Sequence, residues 1–239
     1  NMKEVHLFYA PEIATNPSLP QEEATHAVRV LRMKEGDEVL VTDGVGNFYE
    51  CTIAFTTSKS CTLNIERSYP APRSWRGNIH LAVAPTKNMD RMEWLAEKAT
   101  EIGWDRLSFI LCKNSERKVI KTERIEKIVV SAMKQSHKAH KPVVEELVTF
   151  KQFISKPWEG KKYIAHCLSE SGTLPFLYDI LEAEGDATVL IGPEGDFSAE
   201  EVAMAEQAGF QSISLGESRL RTETAALVAT YQMNLAKRK

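Results

Sequence analysis

From residue 79 onward the sequence alternates short apolar runs with longer segments of helical spacing, and this alternation restricts the possible folds more than any other feature. Residues 79–84, 107–112, 163–167, 188–191 and 212–215 read as strands. After the first, Met92, Leu95, Ala96, Ala99 and Ile102 recur at helical spacing up to a stop at Gly103, and helices are predicted over 122–138, 174–182, 199–208 and 222–235. Strands that alternate with helices predict a largely parallel sheet covered by helices, because parallel neighbours need long crossover connections.

The first 70 residues follow a different pattern. Four β-type runs, 5–9, 38–42, 48–55 and 62–67, surround one helical stretch over 22–33, with turns at Asp43-Gly44-Val45-Gly46-Asn47 and Thr57-Ser58-Lys59-Ser60. A small β-barrel fits this pattern. Pro70-Ala71-Pro72-Arg73-Ser74-Trp75 then reads as a linker, since closely spaced prolines disfavour continued sheet or helix. The 239 residues therefore divide into two expected domains, 1–71 and 72–239. With 43% hydrophobic and 26% charged residues, both have ordinary globular composition, which excludes a disordered tail, a collagen and a disulfide mini-scaffold.

Several chemistries are demoted by what the sequence lacks. The four cysteines, Cys51, Cys61, Cys112 and Cys167, form no CxxC pair, and His137 with His140 has no evident third ligand, so no metal is expected. Gly44-Val45-Gly46 lacks the third glycine of a dinucleotide fingerprint, and Walker A, GxSxG and HExxH motifs are missing. Reduced thiols, no leader pattern and no apolar run near the roughly 18 residues of a membrane span make a cytoplasmic protein the expectation.

The net charge of −3 conceals a split. Between Lys113 and Lys141 nine Lys/Arg face three Glu, whereas Tyr178 to Phe210 holds nine acidic residues and no basic one. At 100° per residue, Ile125, Ile128, Val129 and Ala132 share one helix side, with Lys127, Lys134 and Lys138 nearly opposite and Arg124 on the flank. Such a stripe is either a solvated face or a surface for a polyanion.

Two strand-to-helix junctions carry the remaining signal. In Val189-Leu190-Ile191-Gly192-Pro193-Glu194-Gly195-Asp196-Phe197-Ser198, two glycines and a proline favour a tight backbone that a ligand can approach, and Ser198 with Glu201 forms a capping box. In Leu215-Gly216-Glu217-Ser218-Arg219-Leu220-Arg221-Thr222-Glu223-Thr224-Ala225-Ala226, a glycine again follows a strand, and oxygen-bearing side chains stand where a helix begins. Two such loops at the carboxyl ends of consecutive strands predict one crevice.

Ile191-Gly192-Pro193-Glu194-Gly195, Leu215-Gly216 and Leu220-Arg221-Thr222-Glu223-Thr224-Ala225-Ala226 together resemble the RsmE-type 16S ribosomal RNA uridine-N3 methyltransferases of the SPOUT superfamily. His26 with Val30-Leu31-Arg32 and Gly36-Asp37, Lys87 with Glu97-Lys98-Ala99-Thr100-Glu101-Ile102-Gly103, Ser115-Glu116-Arg117, and Gln135-Ser136 with Pro142 agree in order and spacing. The resemblance spans nearly the whole chain. It implies an α/β fold in which a small PUA-like β-barrel, holding RNA, precedes a SPOUT (α/β-knot) domain with a deep trefoil knot. It further implies a homodimer, S-adenosylmethionine as cofactor, and methylation of N3 of a uridine in the decoding region of 16S ribosomal RNA within the small subunit.

Carried over by position, Gly192, Gly195, Leu215, Gly216 and Leu220 are expected to approach the cofactor through backbone atoms, with Leu168 and Leu190 on its adenine side and Ile191, Glu194, Thr222 and Thr224 completing the set. Asp196 stands where the family often has another glycine, and Lys138 where arginine is common. Methyl transfer to N3 requires loss of its proton and stabilisation of a developing anion, so Arg221 is the expected cation and Glu223 or Glu194 the expected proton acceptor. Arg219 and Arg117 are lesser candidates. Arg29, Arg32, Lys87, Arg117, Arg124, Lys127, Lys134 and Lys138 are the expected RNA contacts. A SPOUT enzyme for another RNA position, or a non-catalytic ribosome-assembly protein, are the competing readings.

Overall fold

A computed structural model of the chain describes residues 4–168 and 174–239. Two compact units are present, Asn1–Arg73 with Val130–Lys141, and Ser74–Val129 with Pro142–Lys239.

In the first unit, β1 (Leu7–Tyr9), β2 (Glu38–Thr42), β3 (Asn47–Thr56) and β4 (Cys61–Pro70) form one sheet in that order, β1 parallel to β2 and the others antiparallel. After β1 the chain crosses to the opposite edge, where Leu19 N donates to Cys61 O (2.9 Å) and Leu63 N to Pro17 O (2.8 Å). The sheet is thereby drawn toward closure, which covers an edge that would otherwise expose unpaired backbone. Phe8, Val39, Val41, Ile53 and Leu63 fill the interior with Ile13, Leu19 and Ala24.

The helix predicted over 22–33 is corrected: α1 (Gln21–Thr25) passes directly into a π-helical turn, His26–Val30, closed by Leu31 N donating to His26 O at 3.0 Å. Val28 and Val30 are β-branched and weaken the α-helical ladder, and the wider turn leaves Val30 64% exposed. Residues 130–141 join this unit through Gly46 N to Ala139 O (2.9 Å), Lys141 N to Gly44 O (2.8 Å) and a Lys134–Glu23 ion pair (2.6 Å).

The second unit runs β5 (Ile79–Val83), α2 (Met89–Ile102), β6 (Arg106–Leu111), α3 (Thr122–Gln135), β7 (Val143–Thr149), α4 (Phe150–Ile154), β8 (Lys161–Ala165), α5 (Leu177–Ile180), β9 (Ala187–Ile191), α6 (Ala199–Gln207), β10 (Gln211–Ile213) and α7 (Thr222–Ala236). From Val130, α3 groups with the first unit. The six strands are all parallel, in the order β10-β8-β9-β5-β6-β7. Side chains alternate across the sheet. Ile79, Leu81, Val83, Val189 and Ile191 share a core with Leu95 and Ala99 of α2 and Ala226, Ala229 and Met233 of α7. Ala82, Ile164 and Leu190 share the other core with Phe150 and Phe153 of α4 and Val202 and Ala205 of α6. Each fully buried Leu or Ile contributes about 1.5–3 kcal/mol, so both faces hold the sheet strongly.

Several boundaries differ from the sequence expectation, each for a local reason. α3 ends at Gln135 rather than 138 because His137 turns left-handed (φ 54°) and Lys138 N reaches back to Met133 O (3.0 Å). β8 ends at Ala165 rather than 167, since the next amides are taken by side chains described below. β10 stops at Ile213 rather than 215, and α5 shrinks from 174–182, because Ser214 pairs with Phe176 in extended conformation. β7 and α4 were not foreseen: β7 is the sheet's edge strand, has no fully buried residue, and shows no clean alternation. Among the described residues no helix is long and apolar enough to cross a membrane.

His80 sits in this sheet, buried, with Nε2 2.7 Å from Ser108 Oγ and Nδ1 3.3 Å from Thr188 Oγ1. Burial, assisted by the charge of Arg106, lowers its pKa to about 3 from 6.5. The folded value lies below the unfolded one, so the stabilisation is full above about pH 6.5 and is lost as pH falls toward 3. Urea unfolding of the unsubstituted protein should show stability declining over that interval, with His80 contributing up to about 1.4 kcal/mol per pH unit. His80→Gln should flatten that part of the profile; an unchanged slope would show that His80 is not its source.

Candidate functional site

The parallel order places the carboxyl ends of β9, β8 and β10 side by side, and the two glycine loops leave from the first and the last of these. The loop after β9 is held by side chains from several elements. Ser198 caps α6 in the predicted box, Ser198 Oγ accepting from Glu201 N (3.2 Å) and Glu201 Oε1 from Ser198 N (2.9 Å). Asp196 is left-handed, φ 63°, a conformation that explains a frequent glycine and that Asp tolerates better than most residues. Its carboxylate accepts from Phe197 N (2.7 Å) and Cys167 N (3.0 Å), tying the loop to the end of β8. Asn114 Nδ2 donates to Gly195 O and Asp196 O (3.2 and 3.1 Å), and Glu194 Oε1 accepts from Lys87 N (2.8 Å).

The second loop must return from β10, at the sheet edge, to α7, which shares a core with β9 and β5. Thr222 fixes that return: its buried Oγ1 donates to Gly192 O at 2.9 Å, joining the two glycine loops directly. Gly216 has φ 117°, which restricts the position to glycine although a Cβ would meet nothing within 4 Å. Glu223, on the first turn of α7, is only 8% exposed. Its Oε1 lies 3.7 Å from Arg91 Nε of α2, and its Oε2 is buried with no hydrogen-bond partner among the described residues. Arg219 and Arg221 are exposed.

The predicted cofactor residues thus fall into groups. Gly192 is buried; Glu194, Gly195 and Gly216 are exposed; Leu215, Leu220 and Thr224 are half-buried. Leu168 stands exposed at the end of β8. The side chains of Leu190 and Ile191 are buried in the two cores, so neither presents a side-chain surface at the loops.

The cationic candidates separate as well. Arg117 is consumed internally, donating to Thr86 O (2.9 Å) and Lys87 O (2.5 Å). Lys134 is spent on Glu23, and Arg124 is ion-paired with Glu93 while remaining exposed. Lys87 is exposed near Glu116 (3.4 Å), Lys127 is exposed and Lys138 is half-buried. In the first unit Arg29 Nε donates to Ser58 O (3.2 Å), and Arg32 is exposed with φ 54°. Sequence reasoning missed Arg91, Asn114 and His166. Their partners Glu223, Gly195 with Asp196, and Ser212 lie far away in the sequence, and no local motif marks them; Asp196 alone was flagged, by its departure from glycine.

Residues 73–234 match the model of the RNA methyltransferase domain family, and residues 19–66 that of the RNA methyltransferase PUA domain. The chain is similar to a probable rRNA-methyltransferase from Porphyromonas gingivalis, with 44% identity, 98% of each chain covered and a TM-score of 0.91. It is similar to Ribosomal RNA small subunit methyltransferase E from Neisseria gonorrhoeae, solved bound to S-adenosyl methionine, at 26% identity, 95% coverage of each and a TM-score of 0.82. A curated protein of that name from Rickettsia conorii is 26% identical over 98% of this chain and 96% of its own length.

The Thr222 bond is the direct link between the two loops, and replacing it leaves Gly192 O buried and unpaired. Thr222→Val should destabilise the protein by about 1–3 kcal/mol in denaturant unfolding. Thr222→Ser should retain most of the stability, because the hydroxyl remains; equal losses in both variants would assign the effect to packing.

Proposed function

The chain belongs to the RNA methyltransferase family, and on that premise we propose that it transfers a methyl group from S-adenosylmethionine to N3 of a uridine in the decoding region of 16S ribosomal RNA, acting on the small subunit as a homodimer. The relatives named Ribosomal RNA small subunit methyltransferase E, one of them bound to the cofactor, support the cofactor and the substrate class. The observation that carries the reading is the Thr222–Gly192 bond, which brings two glycine loops and the buried carboxylate of Glu223 to one place. The proposed domains are a PUA-like RNA-holding domain, 1–71, and a catalytic α/β-knot domain, 72–239, whose threading belongs to the same proposal.

The residues present fit the cofactor. Gly216 leaves open space beside the backbone, Leu168, Leu215 and Leu220 offer accessible apolar surface, and an orphaned carboxylate oxygen waits nearby. When bound, the cofactor supplies an electrophilic methyl group on a sulfonium. Arg221 is exposed just before α7, where its guanidinium can stabilise the anion that develops on uracil. Glu223 is the proposed acceptor of the N3 proton, directly or through water. Glu194 is instead engaged by Lys87 N and holds the loop. Arg117, which clamps the carbonyls of Thr86 and Lys87, and Lys134, half-buried against Glu23, are left out; the proposed RNA contacts are Arg29, Arg32, Lys87, Arg124, Lys127 and Lys138, with Arg124 staying exposed within its ion pair with Glu93.

Small subunits from a strain lacking this activity, treated with the purified protein and cofactor, should gain one methyl group on N3 of a decoding-region uridine, mapped by mass spectrometry. Methylation elsewhere overturns the position, and none overturns the enzyme. Arg221→Ala should lower kcat by about 10²–10³-fold. Full activity in that variant would remove Arg221 from the chemistry. Reversing Arg124 and Lys127 together should weaken RNA binding and flatten its salt dependence without altering cofactor affinity; unchanged RNA affinity would return both to an ordinary solvated face.

A further inference from the structure

The residues that follow β8 make contacts with one consistent assignment of protons. Leu168 N donates to His166 Nδ1 (3.2 Å), so Nδ1 bears a lone pair and the neutral ring carries its proton on Nε2. Nε2 lies 2.8 Å from Ser212 Oγ, and that hydroxyl donates to Glu206 Oε1 at 2.7 Å. The hydroxyl therefore accepts from the ring and donates to the carboxylate. A directed chain of three hydrogen bonds thus runs between the backbone of Leu168 and Glu206 of α6, through Ser212 of β10. One residue earlier, Asp196 Oδ2 holds the Cys167 amide. The two successive amides are held by different groups, one by the first glycine loop and one by His166.

We propose that His166 is a positioning residue for the cofactor: its neutral ring holds the backbone of Leu168 in place, and protonation of the ring releases it. The inference rests on the reading of Leu168 as part of the S-adenosylmethionine surface. An imidazolium carries N–H at Nδ1, which would meet the Leu168 N–H donor to donor, so the bond is lost. The charged groups facing the ring are Asp196 and Glu206, which favour the imidazolium, while burial opposes it more strongly and keeps the pKa below 6.5. Lys162 of β8 is turned to Ala208 O (2.7 Å), and Arg219 acts on neighbouring Cys167. Binding that requires the Leu168 bond favours the unprotonated ring. Affinity is therefore full above the His166 pKa and falls as pH drops through it.

Calorimetric titration with S-adenosylmethionine from pH 8 to pH 5 tests this. In the unsubstituted protein Kd should weaken by about tenfold over the interval. In His166→Asn the amide oxygen can take the place of Nδ1 without titrating, so affinity at pH 8 should be retained and the profile flattened. Comparing the two profiles removes the titration of the cofactor itself. His166→Ala should bind more weakly at pH 8 by about 3–10-fold, the cost of one lost hydrogen bond. A His166→Asn profile as steep as that of the unsubstituted protein overturns the inference, even if His166→Ala fails to fold. So does undiminished binding by His166→Ala. If the unsubstituted protein does not bind at pH 8, the cofactor reading itself fails.

Discussion

β9 lies in the sheet between β5 and β8, with all five residues buried, and the site depends on that position. Buried on both faces, the strand is free to meet a ligand only at its end. Its end is where Gly192 accepts from Thr222 and where Asp196 and Glu194 reach to β8 and to the segment after β5. Because β10 pairs beyond β8, the segment after it has to travel back to reach α7, which shares a core with β9 and β5. The strand order thus determines that the two glycine loops meet. It also determines that α7 begins against Gly192, bringing Glu223 with it.

The loops are positioned chiefly by side chains that bind backbone. Asp196, Asn114, Glu194 and Thr222 each hydrogen-bond to a main-chain group in or beside the two loops, and Arg117 clamps the carbonyls of Thr86 and Lys87 next to them. Such an arrangement fixes the course of the main chain through both loops, which suits a ligand recognised by shape. It also changes the meaning of charge in the sequence. Arg117 and Lys134 raise the local positive balance, yet one serves carbonyls and the other serves Glu23. Arg219 and Arg221 follow the acidic stretch 178–210 and are exposed. Counting cations along the sequence could not separate these cases, because burial and partners come from tertiary structure.

The same distinction explains how much could be read in advance. The buried strands β5, β6 and β9 announce themselves as short, mainly apolar runs, and α2 and α6 carry their own stop and cap in Gly103 and Ser198. β7 does not, because an edge strand with Glu145 and Glu146 in its middle has neither a continuous run nor a period of two. β8 ends two residues before the expected Cys167, because the amides of Cys167 and Leu168 are claimed by Asp196 and His166 rather than by a neighbouring strand. The glycine loops were legible as motifs. The bond that joins them was not, since it spans 30 residues and depends on a threonine that also reads as an ordinary helix-start residue.

Glu223 and Glu194 illustrate what burial adds to a motif. Both stand in recognisable sequence, and both are carboxylates near a helix start or loop. Glu194 is exposed and already accepts a backbone hydrogen bond, which is the behaviour of a loop brace. Glu223 is buried, its cation partner is 3.7 Å away, and one oxygen has no hydrogen-bond partner among the described residues. An unsatisfied buried oxygen costs about 1–3 kcal/mol, only part of which the amino end of α7 offsets through its dipole. Folds tolerate that cost mainly where a ligand or a proton repays it. We therefore propose Glu223 rather than Glu194 as the proton acceptor, because its Oε2 is buried and without a hydrogen-bond partner among the described residues.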